Sequence, residues 1–186
     1  MAVTQIATAM AALTWMTVSW AVHRRPSVLG AAAGAVAGLV AITPAAGFVT
    51  ANGAILIGVL AGVVPFYACS TLKNALGYDD ALDTFGVHAV GGTMGAFLTG
   101  MLARNSANGN LATNLKEYVT DSPGQKLLFE QVKAIGVTLI LAVVGTIVIA
   151  FIVKAVLGLR PTAEAEQEGL DLSDHGEEGY ILEAKG

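Results

Sequence analysis

Five apolar segments, at residues 3–22, 28–48, 53–71, 85–102 and 134–157, fix what this chain can fold into. Each approaches the roughly 20 residues that a helix needs to cross a bilayer. In hydrocarbon every backbone N–H and C=O must be satisfied within the protein, which leaves helices or closed barrels. Runs of this length exceed a membrane strand. The sequence therefore predicts an all-α, polytopic transmembrane bundle of five spanning helices, with a buried soluble core as the alternative. The composition favours the membrane. Charged residues are 13% of the chain and apolar residues 54%, mean hydropathy is +0.65, and a soluble domain carries about 25% charge.

The charge is unevenly placed. Beyond Pro161 there are eight acids and one base, Lys185, against nine bases and six acids up to that point. The net −4 thus arises from the tail, since −7 there offsets +3 before it. This divides the chain into a membrane domain, 1–160, and an acidic C-terminal tail, 161–186. No basic patch offers a nucleic-acid surface. The single cysteine, Cys69, lies in an apolar run and reads as inert packing rather than as a reactive thiol. The first run lacks a basic n-region and is too long for a signal-peptide h-region, so it reads as a span.

The links between spans carry the orientation. Because spans alternate sides, links one, three and five share a face that holds Arg24, Arg25, Lys73, Lys154 and Arg160. The opposite face holds Arg104, Lys116 and Lys126, with Lys133 near its edge. The positive-inside rule puts the first face and the tail in the cytoplasm of a multi-pass protein of the cell (plasma) membrane. Glycines recur every four residues at Gly30, Gly34 and Gly38, at Gly58 and Gly62, and at Gly91 and Gly95. Such stripes let helices approach closely. Pro44 should kink or end the second span, because it removes a donor and clashes with the preceding turn. The longest loop is expected at 103–131.

The chemistry concentrates at Asp79–Gly92, where three acids precede an apolar run carrying His88. From Phe85 to Leu102 His88 is the only ionisable side chain. An intramembrane ionisable group is costly without a partner and marks a functional site by default. Neutral imidazole has one donor and one acceptor nitrogen, so it can pass a hydrogen-bonding molecule along or relay a proton. A structural role is the other reading. Gly91, Gly92 and Gly95 follow at i+3, i+4 and i+7, which places space on the same helical face. Asp83 suits an N-cap of the fourth span. A catalytic metal site needs three or four protein ligands, and none is assembled here. HExxH and GxSxG do not occur, and no carboxylate pair lies within a span. An enzyme is therefore not expected, nor a metal or other cofactor.

Three stretches in order carry a family resemblance: RRPSVLGAAAGAVAGLVAITPAAGFV (24–49), LKNALGYDDALDTFGVHAVGG (72–92) and EGLDLSDHGEEGY (168–180). With the spacing between them, they cover most of the chain, which strongly resembles the C-terminal half of ammonium transporters of the Amt/Rh type. The resemblance implies an eleven-span fold of two inverted five-helix repeats and a long last helix, with this chain supplying spans seven to eleven as a fragment. It implies a homotrimer with one pore per subunit, serving nitrogen uptake. His88 looks like the second of two pore histidines, with Phe85 and Gly92 beside the pore and Asp83 as the capping residue near it. The first histidine and most of the outer aromatic site belong to the other half. Trp15 and Trp20 are given packing or interfacial roles.

The expected substrate is ammonium or ammonia, and the other contact is membrane lipid. A bare cation in hydrocarbon faces an idealised cost of tens of kcal/mol. These spans hold no internal carboxylate to offset it, so neutral ammonia is the species expected to pass. Ammonium would lose a proton outside and regain one inside. One wall of a pore is not expected to conduct by itself. In the tail, Pro161 is expected to end the last helix, Thr162 to cap a new turn through Glu168, and residues 170–180 to be irregular. Leu170, Leu172, Tyr180 and Ile181 are apolar residues that a purely solvated acidic tail would not need. They are expected to dock near Arg24, Arg25 and Lys73. The resemblance implies that this face binds a PII-type signalling protein, with Leu170, Asp171, His175, Gly176 and Tyr180 as the contact residues. A regulatory or binding module is accordingly the alternative function.

Overall fold

The computed structural model describes residues 1–177. The described residues are helical, with no strand among them. Five helical stretches have the length and apolarity to cross a membrane: Ala2–His23, Val28–Ala45, Ala51–Leu76, Phe85–Leu102 and Lys126–Val156. The protein is a multi-pass membrane protein. Two boundaries differ from expectation by five residues or more. The third span runs to Leu76 rather than residue 71, and the fifth starts at Lys126 rather than residue 134. Both extensions carry polar residues that hydropathy alone trims away.

The chain forms two compact units, Met1–Thr138 and Leu139–Gly186. In the first, α1 (Ala2–His23) closes at Arg24, which takes the left-handed conformation (φ 61°). Ser27 then caps α2 (Val28–Ile42) by accepting from Gly30 N at 2.8 Å, which satisfies one of the helix's free donors. As Pro44 requires, α2 gives way to a single 3-10 turn, Thr43–Ala45. The third span begins as α3 (Ala51–Tyr67) and contains Pro65. Within a turn of that proline it widens into a π-helical segment, Ala68–Leu72, and ends as α4 (Lys73–Leu76). The fourth span also starts as a π-helical segment, Phe85–Val90, and continues as α5 (Gly91–Leu102).

Helix α1 packs against both α2 and α3, and the glycine stripes explain how. A Cβ at Gly38 would stand 2.8 Å from the Ala7 carbonyl, and one at Gly58 2.6 Å from the same oxygen. Gly34 and Gly62 meet the Ala11 carbonyl in the same way, at 2.9 and 2.7 Å. Ala7 and Ala11 are fully buried. Glycine removes the side chain that would hold three backbones apart. Above this contact Trp15 is buried and meets Phe66 edge-on at a centroid separation of 5.6 Å. Trp15 is thus a packing residue, whereas Trp20 is 60% exposed.

The connection after α5 is shorter than expected, 103–125, and is folded. It contains α6 (Gly109–Asn114), capped by Asn108, and a small core of Ala103, Leu111 and Val119. Its key is Gln125, buried to 2% exposure. The Gln125 amide donates to the carbonyls of Gly100 (2.9 Å) and Ala103 (3.3 Å), and its oxygen accepts from Thr120 N (3.1 Å). One side chain thereby satisfies carbonyls that the end of α5 leaves free.

Helix α7 (Lys126–Val156) has 31 residues and no buried side chain; at 1.5 Å per residue it is about 47 Å long. Within the second unit the helix ends ahead of Pro161, at Val156, with Gly158 in the left-handed region (φ 84°). Thr162 caps α8 (Ala163–Glu168) through Ala165 N, and Gly169 ends it, as the sequence predicts. Arg160 holds Glu166 through two hydrogen bonds of 3.0 and 2.9 Å. Residues 171–175 form a π-helical turn closed by Gly176 (φ 66°), where irregular chain was expected. Leu170, Asp171, His175 and Gly176 therefore lie in one short exposed motif. Tyr180 and Ile181 lie outside the described residues.

Candidate functional site

The fourth span is held at its start by two carboxylates with separate tasks. Asp80 accepts from the backbone N–H of Thr84 and of Phe85, each at 2.8 Å. These are the free donors of a helix start, and a carboxylate there also complements the helix dipole. The capping carboxylate is therefore that of Asp80 and not, as expected, that of Asp83. Asp83 is left-handed (φ 56°), a conformation that Asp tolerates better than most residues. Its side chain pairs with the Lys73 ammonium at 2.8 Å. Lys73 is thus engaged within the first unit. Tyr78, in the link, meets Phe85 edge-on at 5.3 Å. Burial, with Asp80 adding to it, raises the Tyr78 phenol above its ordinary value, so the group stays a neutral donor at pH 7.

Five residues on from Asp83, His88 is exposed at the surface of the first unit. It lines two adjoining cavities. One, of about 340 Å³, is walled by Leu29, Ala32, Ala33 and Val36 of α2 and by Ala81, Leu82, Asp83 and Val87. The other, of about 630 Å³, is walled by Val36, Leu39, Val40, Thr43 and Pro44 with Gly92 and Ala96. Together they form an open groove between α2 and the fourth span. Its lining is apolar apart from the imidazole, the Asp83 carboxylate near one end and Thr43 near the other. Among the described residues the imidazole has no hydrogen-bond partner from the protein. It is free to bind something else.

The expected residues sort clearly. His88 and Gly92 share the groove, and Asp83 lies at its end. Phe85 is 47% exposed, meets Tyr78 edge-on and lines neither cavity. Gly95, expected on the open face at i+7 from His88, is instead buried against Ala41 of α2. The π-helical segment explains the difference. It widens the turn that carries His88, so the 3.6-residue count from His88 to Gly95 no longer holds. Sequence reasoning missed Leu29, Ala33, Val36 and Val40 as groove walls. Their only signal was the apolar run of the second span. Cys69 packs where a Cβ on Gly86 would fall, in keeping with an inert role.

The family model described as Ammonium Transporter Family matches residues 1–180. The chain is 45% identical to the ammonium transporter of Bacillus subtilis over 177 residues, covering 95% of this chain and 43% of that one. It is 44% identical to the ammonium transporter of Aquifex aeolicus over 179 residues, covering 96% and 40%. Among solved structures it is similar to Saccharomyces cerevisiae Mep2, with a TM-score of 0.74 at 33% identity, over 87% of this chain and 36% of that one. It therefore spans about two fifths of the length of the curated relatives it matches. On this sequence match and shared fold, the chain belongs to the ammonium transporter family.

Proposed function

We propose that this chain supplies one wall of a pore that conducts ammonia derived from ammonium, with His88 as the hydrogen-bonding group on that wall. The observation that carries this reading is the exposed, unpartnered imidazole on an open apolar groove. An apolar groove disfavours a bare cation and admits a small neutral molecule. An imidazole with one donor and one acceptor nitrogen matches ammonia, which both donates and accepts. Gly92 keeps the passage open beside the ring. Asp83, held by Lys73, stands at one end of the groove where the molecule meets water. The second wall is the remaining part of the transporter seen in the longer relatives. The reading includes a cytoplasmic C-terminus, a trimeric assembly and a division at residue 160 between membrane domain and tail.

A chimaera tests it. This chain replaces the segment it matches in the Bacillus subtilis relative, and methylammonium uptake is measured in a transport-null strain. The chimaera is expected to take up the analogue, and the 186-residue chain alone is not. Robust uptake by the isolated chain contradicts the half-pore reading.

A second reading concerns regulation, and the local order of the tail favours it. Arg160 and Glu166 fix α8, and the turn after it presents Leu170 and Leu172, each about 40% exposed. We propose that this motif, with Tyr180, contacts a PII-type protein. Deleting residues 162–186 from the chimaera is expected to abolish PII co-sedimentation with membranes, and undiminished co-sedimentation refutes it.

A further inference from the structure

From Lys73 to Gly92 the only basic side chain apart from His88 is Lys73, and its position is unusual. It directly follows one π-helical segment, Ala68–Leu72, and pairs with the residue that leads into the other, Phe85–Val90. Its ammonium donates to Asp83 Oδ1 at 2.8 Å and to the Asp80 carbonyl at 2.5 Å. Asp83 in turn accepts from Val87 N at 3.0 Å through its carbonyl, inside the turn that carries His88. Asp80 accepts from Thr84 N and Phe85 N. One cation thus grips both residues that define where the fourth span begins. The two π-helical segments also touch directly, because Gly86 leaves room for Cys69.

A π-helical turn holds an extra residue. Were it to relax to an α-helix, every side chain on one side of it would rotate by about 100° relative to the other side. Whether His88 faces the groove therefore depends on what holds the start of this turn. Helix α5 itself is locked, since Gly95 lies on the Ala41 backbone, so any relaxation would fall on the segment carrying the imidazole. We infer that Lys73 is a positioning residue for His88: by holding Asp83 left-handed and drawing in the Asp80 carbonyl, it maintains the π-helical register that turns the imidazole into the groove. Its part in transport rests on the proposed function. Its effect on the ring does not, so the two can fail separately.

The test is the rate at which diethylpyrocarbonate modifies His88 in the chimaera, read by peptide mass spectrometry against His175 in the same molecule. Lys73→Met is expected to change the ratio by about threefold or more. Asp83→Asn, which keeps shape and removes the charge, is expected to change it in the same direction, and Lys73→Arg to restore the original ratio. Uptake should follow the same ranking. An unchanged ratio in both Lys73→Met and Asp83→Asn overturns the inference, as does Lys73→Arg behaving like Lys73→Met. If the unmodified chimaera takes up nothing, the transport reading fails while the modification ratio still decides the positioning role.

Discussion

Gly95 lies directly on the main chain of Ala41, with no room between them for a methyl group: a Cβ there would stand 2.8 Å from Ala41 Cα and closer still to its carbonyl oxygen. Two residues of the same glycine run behave differently. Cβ atoms at Gly91 and Gly92 would find their nearest neighbours at 3.5 and 3.7 Å, ordinary contact distances.

Gly95 and Gly92 should therefore respond differently to one added methyl. Gly95→Ala is expected to destabilise the protein by about 1–3 kcal/mol, the usual range for overpacking, seen as a lower unfolding temperature in detergent. Gly92→Ala should leave that temperature near its starting value but narrow the groove beside His88 and slow uptake. Equal thermal shifts for the two would contradict the packing described.

The two carboxylates at the start of the fourth span should also separate. Asp80→Ala removes the acceptor for two backbone donors and is expected to cost about 1 kcal/mol, as loss of a cap does. Asp83→Ala breaks a pair whose members are 25% and 41% exposed, worth at most about 1 kcal/mol at such exposure. Its larger consequence is expected at His88. Amide hydrogen exchange at Thr84 and Phe85 checks the difference and should accelerate in Asp80→Ala.

Gln125 gives a third outcome. Its substitution by alanine leaves the Gly100 carbonyl and the Thr120 N–H without their side-chain partner and the Ala103 carbonyl with Arg104 Nη1 alone, at a cost of about 1–3 kcal/mol. Limited proteolysis should then cut within 103–125 much faster than in the parent, whereas Ser122→Ala, at an exposed position, should not change the rate.

What was legible in the sequence followed from composition and helical spacing. The five spans, the break at Pro44, the close packing at Gly34, Gly38, Gly58 and Gly62, the cap at Thr162 and the candidate site at His88 all follow from local pattern. The rest needed information that spacing does not hold. Nothing in Phe85–Val90 announces a π-helical turn, so Gly95 was counted onto the wrong face. Asp80 and Asp83 are both plausible caps from their position, and only the placement of Lys73 ten residues upstream of Asp83 separates their tasks. Gln125 reaches back 25 residues to Gly100, a partnership invisible to any short window. Residues 126–131 read as loop because their charges lower hydropathy, although they open the helix Lys126–Val156.

On the proposed reading, the imidazole of His88 handles the transported molecule. Methylammonium uptake is compared between the chimaera and its His88→Ala variant at matched membrane abundance. Losing a hydrogen bond to the passing molecule, about 1.4 kcal/mol, corresponds to roughly a tenfold fall in rate, or to altered selectivity if the site then admits a cation. Uptake and selectivity unchanged in His88→Ala would contradict the account.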